Sequence, residues 1–245
     1  MQEHIYQKMY EVEDRHWWYS AKRRIIRHLL ERYLPPAGGS APRRLADLGC
    51  GCGRLLEELP PGFDGVGVDA SETAVEFCRK RGVSASVGSL PAQVPFPDGT
   101  FDAVILADIL EHVEDDEACA RAAARLLRAG GVMIVTAPAY PALWSSWDEI
   151  HGHRRRYTLG TLRQVLATTE LDIELLSYYN MFLLPPAALA RVLKKLTLQQ
   201  DAAELSPPPG WINSLLRGIF AGERHLLGRL PLPAGLSLIA VLRRP

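Results

Sequence analysis

Hydrophobic positions along the chain follow a helical period at the N-terminus and a mixed one after it. Ile25, Ile26, Leu29, Leu30 and Tyr33 recur on one helical face, with Arg23, Arg24, Arg27, Glu31 and Arg32 largely elsewhere. Pro35-Pro36-Ala37-Gly38-Gly39-Ser40 predicts the end of that helix and a linker. From residue 43 onward, short apolar runs alternate with amphipathic stretches. Runs at 44–48, 65–69, 84–87, 101–107 and 132–136 read as strands, and 54–59, 72–81 and 115–128 read as helices between them. The last of these has acids at its start and arginines at its end, as the helix dipole favours, and Gly130-Gly131 is expected to stop it. A helix near 159–167, a strand near 171–178 and a final strand at 236–242 follow. Such alternation predicts an α/β fold with a doubly wound, mostly parallel, Rossmann-like sheet and helices on both faces. The expected division is an N-terminal helical cap at 1–40 and one domain at 41–245, with a helical insert at about 181–233.

Length and charge narrow the classes. A chain of 245 residues suits one sizeable domain with embellishments. Lys plus Arg count 28 and Asp plus Glu count 28, so the footprint of a nucleic-acid binder is missing and no nucleic-acid partner is expected. The start shows no secretory pattern, and no apolar run approaches the roughly 18 residues that span a bilayer. Cys50, Cys52, Cys78 and Cys119 suggest neither a disulfide framework nor a metal site. A cytoplasmic location is the expectation.

The candidate chemistry centres on Asp47-Leu48-Gly49-Cys50-Gly51-Cys52-Gly53, which follows a strand and opens a helix. Gly49, Gly51 and Gly53 suit a sharp turn that a ligand approaches closely, beside the free N–H groups of a new helix. A nicotinamide-dinucleotide fingerprint would place its third glycine at position 54, where Arg54 stands, and Asp47 would repel a pyrophosphate. S-adenosylmethionine (SAM) carries an ammonium and a sulfonium and no phosphate, so an acid before the loop suits it. Asp69 ends the second strand roughly twenty residues further on, where a carboxylate accepts ribose hydroxyls in doubly wound nucleotide sites. Its alternative role is a turn or helix-capping acid.

These residues resemble class I SAM-dependent methyltransferases, particularly the ubiquinone and menaquinone biosynthesis type. The resemblance lies in 45–56, 67–71, 94–113 and 130–138. It implies a seven-stranded sheet whose last strand is antiparallel, with Ala70, Ser89, Leu90 and Ala107 lining the cofactor pocket. Many relatives have an aspartate where Ser89 stands. His16-Trp17-Trp18-Tyr19 followed by Lys22-Arg23-Arg24 also resembles the cap of quinone O-methyltransferases, which implies Arg24 as a partner of the cofactor carboxylate.

The acceptor is expected beyond the carboxyl ends of the strands. There His151 and His153 are candidate general bases, and Arg154, Arg155, Arg156 and Tyr157 are candidate contacts for an anionic group. Asp108 is a further candidate contact. With no nearby cysteine or third histidine, no metal is expected there. Trp211, Ile212, Leu215, Leu216, Ile219 and Phe220 recur at helical spacing, which suits core packing, a lid over an apolar acceptor, or a peripheral membrane contact. The expected function is methyl transfer to a small-molecule or lipid-like acceptor, with O-methylation favoured over C- or N-methylation; the sequence sets no oligomeric state. The rivals are a catalytically silent SAM-binding subunit and an NAD-dependent oxidoreductase.

Overall fold

The computed structural model describes residues 3–34, 41–187 and 206–245. The linker predicted at 35–40 and part of the predicted insert, 188–205, lie outside the described residues. Seven strands form one sheet: β1 (Arg43–Leu48), β2 (Phe63–Asp69), β3 (Ser84–Val87), β4 (Phe101–Ala107), β5 (Leu127–Pro138), β6 (Asp172–Tyr179) and β7 (Ser237–Arg243). Their order is β3-β2-β1-β4-β5-β7-β6. Strands β1 to β5 pair in parallel, and β7 runs antiparallel to both β5 and β6. Strands β4 and β7 are apolar along almost their whole length because helices cover both faces of the sheet.

The direction of strand addition reverses between β1 and β4. The loops after these strands therefore diverge and leave a crevice at their carboxyl ends, the usual ligand position in open α/β sheets. The helices α3 (Arg54–Glu57), α4 (Glu72–Lys80), α5 (Asp116–Arg125), α6 (Ser146–His151) and α7 (Leu159–Ala167) connect the strands. One boundary differs from the sequence reading. Helix α5 ends at Arg125, and β5 begins at Leu127, before Gly130-Gly131. Leu127 is fully buried opposite Phe101, so sheet pairing claims this residue, and Gly130 with φ +75° falls within the irregular stretch of β5.

The N-terminal helices are α1 (Glu3–Val12) and α2 (Trp17–Tyr33). Ile25, Ile26, Leu29 and Leu30 of α2 join the same apolar core as the sheet. Helix α1 lies across α4 and the glycine loop through Tyr6, Cys52, Ala74 and Phe77. The last helix, α8 (Gly210–Gly222), runs beside α2, where Trp17 meets Phe220 edge to face at 6.0 Å. Among the described residues no helix is long and apolar enough to cross a membrane.

Candidate functional site

The glycine loop turns out of β1 with Gly49, Gly51 and Gly53 at φ +82°, +54° and +80°, in the left-handed region that side chains disfavour. Close packing reinforces the requirement: a Cβ at Gly51 would stand 2.8 Å from Cε of Met9, and one at Gly49 would collide with Ile109. Asp47, at the end of β1, is buried, and its Oδ1 has no hydrogen-bond partner. Burial pushes its carboxyl up to about 7, opposed by the nearby Lys22 and reinforced by the charge of Asp69. An unpartnered buried carboxylate oxygen beside a glycine turn is what an ammonium group needs, so these residues fit the amino-acid end of SAM.

Asp69 sits across the loop. Its carboxylate accepts from the backbone N–H of Gly51 at 2.9 Å and of Ser71 at 3.0 Å, and from the Tyr6 hydroxyl at 3.1 Å. Ala70 beside it is exposed. Ser89 is exposed and Leu90 half-buried just after β3, and Ala107 is half-buried at the end of β4. All lie at carboxyl ends of their strands, on the same side of the sheet as the loop.

Arg24 does not join this group. It is exposed on the outer face of α2, whereas Lys22, two residues earlier, is buried on the inner face. Lys22 pairs with Asp108 and lies 4.8 Å from the Trp18 ring centroid. The helical period separates positions two apart by roughly 200°, so only one of the two residues can face the crevice. The readable signal was a lysine sharing a face with Ile25, Ile26 and Leu29. Asp108 adopts φ +58°, which aspartate tolerates better than most residues, and accepts from the Thr136 hydroxyl at 2.7 Å. Burial alone would raise its carboxyl, but Lys22 and Thr136 outweigh that and hold it below the usual carboxylate value.

Beyond β5 the chain enters a short turn at Pro141–Leu143 and then α6, which ends on His151. Asp148, absent from the sequence-based candidates, organises this region. It accepts from Nδ1 of His153 at 2.8 Å and from Nε and Nη2 of Arg156 at 2.8 and 2.9 Å. Burial would raise its carboxyl, yet the bonds from His153 and Arg156 hold it well below the carboxylate range. Asp148 is therefore ionised and accepts the Nδ1 proton, which leaves Nε2 of His153 as the basic nitrogen. His151 is placed differently. Its ring stacks on Trp147 at 4.0 Å, its Nδ1 bonds the Trp147 carbonyl at 2.9 Å, and burial lowers its basicity.

Of the three arginines, only Arg154 is exposed. Arg155 pairs with Asp116 at 2.9 Å and donates to the Glu114 carbonyl at 2.7 Å, while buried Arg156 clamps Asp148. Tyr157 is buried and donates to Asp116 at 2.7 Å. These three groups are committed to the protein, and they anchor α6 and α7 over the sheet. Glu111 is also fully buried, with both carboxylate oxygens unpartnered, and burial, then the charge of Asp108, raises its carboxyl well above the usual value. Ligand-capable atoms of Glu111, His112 and His153 lie within 4.8 Å of one another, a grouping the sequence reading did not foresee. Burial lowers the His112 ring to about 4, and His153 adds to that, so His112 is neutral.

The reversed strand order, antiparallel β7 and glycine loop with an acid on either side are the architecture of the class I SAM-dependent methyltransferase fold. In agreement, residues 46–135 match the family model described as a methyltransferase domain. The chain is similar to a ubiquinone biosynthesis O-methyltransferase of Methylococcus capsulatus, 37% identical over 100 residues. That alignment covers 38% of this chain and 42% of the relative, so the match spans less than half the length of either. Two solved structures share the fold. One is a complex between the Haloferax volcanii Trm112 methyltransferase activator and a methyltransferase, with TM-score 0.60, 21% identity, and 98% and 94% of the two chains covered. The other is a Haemonchus contortus phosphoethanolamine N-methyltransferase in complex with SAM, with TM-score 0.54, 20% identity, and 89% and 52% covered.

Proposed function

We propose that this chain transfers a methyl group from SAM to an oxygen of a small acceptor, with His153 as the general base. The observation that carries the reading is the His153–Asp148 pair beside the charged cluster of the cofactor crevice. Asp47, Lys22, Asp108 and His153 influence one another's charges in succession, which links the glycine loop to the base. When bound, SAM supplies an electrophilic methyl on a sulfonium. The chain's own work is positioning and proton removal. Asp47 would hold the ammonium, Asp69 the ribose hydroxyls, and Lys22 the carboxylate of the cofactor. Lys22 takes the place expected for Arg24 because it is the α2 cation that faces the crevice. His153 Nε2 would take the acceptor's hydroxyl proton as the oxygen–methyl bond forms and the methyl–sulfur bond breaks, while Asp148 stabilises the imidazolium. The similarity to the Methylococcus O-methyltransferase supports oxygen as the nucleophile. Of the three loop arginines, exposed Arg154 is left to meet an anionic group on the acceptor.

The test is transfer of labelled methyl from SAM to a catechol bearing a short isoprenoid chain, with His153→Asn beside the unsubstituted protein. The expected result is a fall in kcat on the order of 10²–10⁴ with SAM affinity unchanged. An unchanged kcat removes His153 from the mechanism. SAM binding with no turnover on a panel of phenols and catechols would favour the silent-subunit reading.

A further inference from the structure

We propose that the groove between α2 and the turn after α8 is a binding site for a phosphate group, separate from the cofactor crevice. Arg24, Arg27, His28 and Glu31 of α2, with Arg224, line a cavity of about 260 Å³. The four α2 residues follow the i, i+3, i+4, i+7 pattern and so form one outer stripe of the helix. His225 brings a second imidazole to the site, its ring centroid 6.0 Å from that of His28. Glu31 is the one carboxylate in the lining.

The chain carries 28 basic and 28 acidic residues, and the arginines around the glycine loop are paired: Arg54 with Glu57 and Glu58, Arg81 with Glu13 and Asp14. In the groove the matching is weak. Arg27 comes no closer than 3.9 Å to Glu58, whose carboxylate is already bonded by Arg23, and its buried Nε has no partner. Arg224 donates to the Ala221 carbonyl at 2.7 Å, a neutral acceptor. Like charges three and four apart on a helix destabilise it. His28 lies in this positive surrounding: its proton affinity is lowered by burial first, and then by His225, Arg224 and Arg32, with Glu31 opposing. A convergent, under-compensated set of guanidinium groups around a cavity fits a phosphate, whose oxygens accept bidentate arginine bonds. The volume leaves room for the organic part of an ester, so the ligand is either a free phosphate ester or the headgroup phosphate of a lipid.

The full chain is titrated with inorganic phosphate at constant ionic strength, followed by calorimetry and by the NMR titration of the His28 ring. It is also sedimented with phosphatidylglycerol–phosphatidylcholine vesicles. The comparison variants are R27Q/R224Q and, as a surface-charge control, Arg163→Gln on α7. Phosphate is expected to raise the pKa of His28. The double variant is expected to lose at least tenfold in phosphate or vesicle affinity, while Arg163→Gln and SAM binding are unaffected. A response to free phosphate alone assigns a soluble ester; a response to vesicles alone assigns a lipid headgroup. If neither probe binds, if the double variant binds as tightly as the unsubstituted chain, or if phosphate binds without shifting His28, the proposal fails. The His28 readout uses the unsubstituted protein, so it stands even if the double variant does not fold.

Discussion

Asp47 carries an electrostatic cost that the fold alone does not relieve. Its carboxyl is raised from 3.8 to about 7, so its favourable contribution to stability is complete below pH 3.8 and is lost as the pH rises through about 7. Asp47→Asn removes the charge and keeps the shape. Without cofactor, the variant is expected to melt about 5 °C higher than the unsubstituted protein at pH 8.5, with the gap shrinking at pH 5. It should also bind SAM more weakly, because the ammonium loses its carboxylate. A variant less stable at pH 8.5 would contradict the burial argument. Several of these residues were legible from the sequence, because Asp47, the three glycines and Asp69 sit at fixed places relative to strand ends. Resemblance points to a cation near position 24, and only the register of α2 shows that Lys22 faces inward while Arg24 faces solvent. Asp148 was hidden for another reason: a carboxylate that orients a base from within a short helix has no pattern of its own in one sequence.

At the scale of elements, α8 shows that helical spacing alone does not place residues on one face: Trp211 and Leu215 are exposed, whereas Phe220 is buried. Nine residues separate Trp211 from Phe220, roughly half a turn in phase, and accordingly Trp211 is 72% exposed while Phe220 is fully buried. The helix is also fastened at both ends. The Asn213 side chain donates to the Arg15 carbonyl at 2.7 Å and accepts from the Trp17 N–H at 2.9 Å. After the helix, buried Glu223 accepts from the N–H groups of Asn180 and Phe182 at 2.5 and 3.0 Å. Hydrogen exchange is therefore expected to show the inner amides of α8 protected before any ligand is added. Asn213→Ala should raise exchange in the first turns of both α2 and α8 together. Fast exchange across α8 in the unliganded protein, suppressed only by acceptor and cofactor, would instead support a lid. Short elements were the hardest to see. Helix α6 has six residues and depends on a capping box between Ser145 and Asp148, too little for a periodic signal. The end of α5 was misplaced because Leu127 suits a helix and a strand equally, and pairing with Phe101 decides it.

For the whole molecule, one crevice opens where the strand order reverses between β1 and β4, and SAM, not a dinucleotide, is the ligand expected there. Helix α1 forms part of that crevice: Tyr6 bonds Asp69, and the Tyr10 ring stacks on Phe77 at 4.3 Å. Binding is therefore expected to order the N-terminus and the sheet together. The most direct measurement is calorimetric titration of the full chain with SAM, its demethylated product and NAD, repeated with Asp69→Ala. SAM and its product should bind in the micromolar range, about 8 kcal/mol, and NAD should not bind. Asp69→Ala should weaken SAM about 10- to 100-fold, the loss expected when hydroxyls forfeit hydrogen bonds to a charged acceptor. Tight NAD binding, or SAM affinity unchanged in Asp69→Ala, would contradict the account.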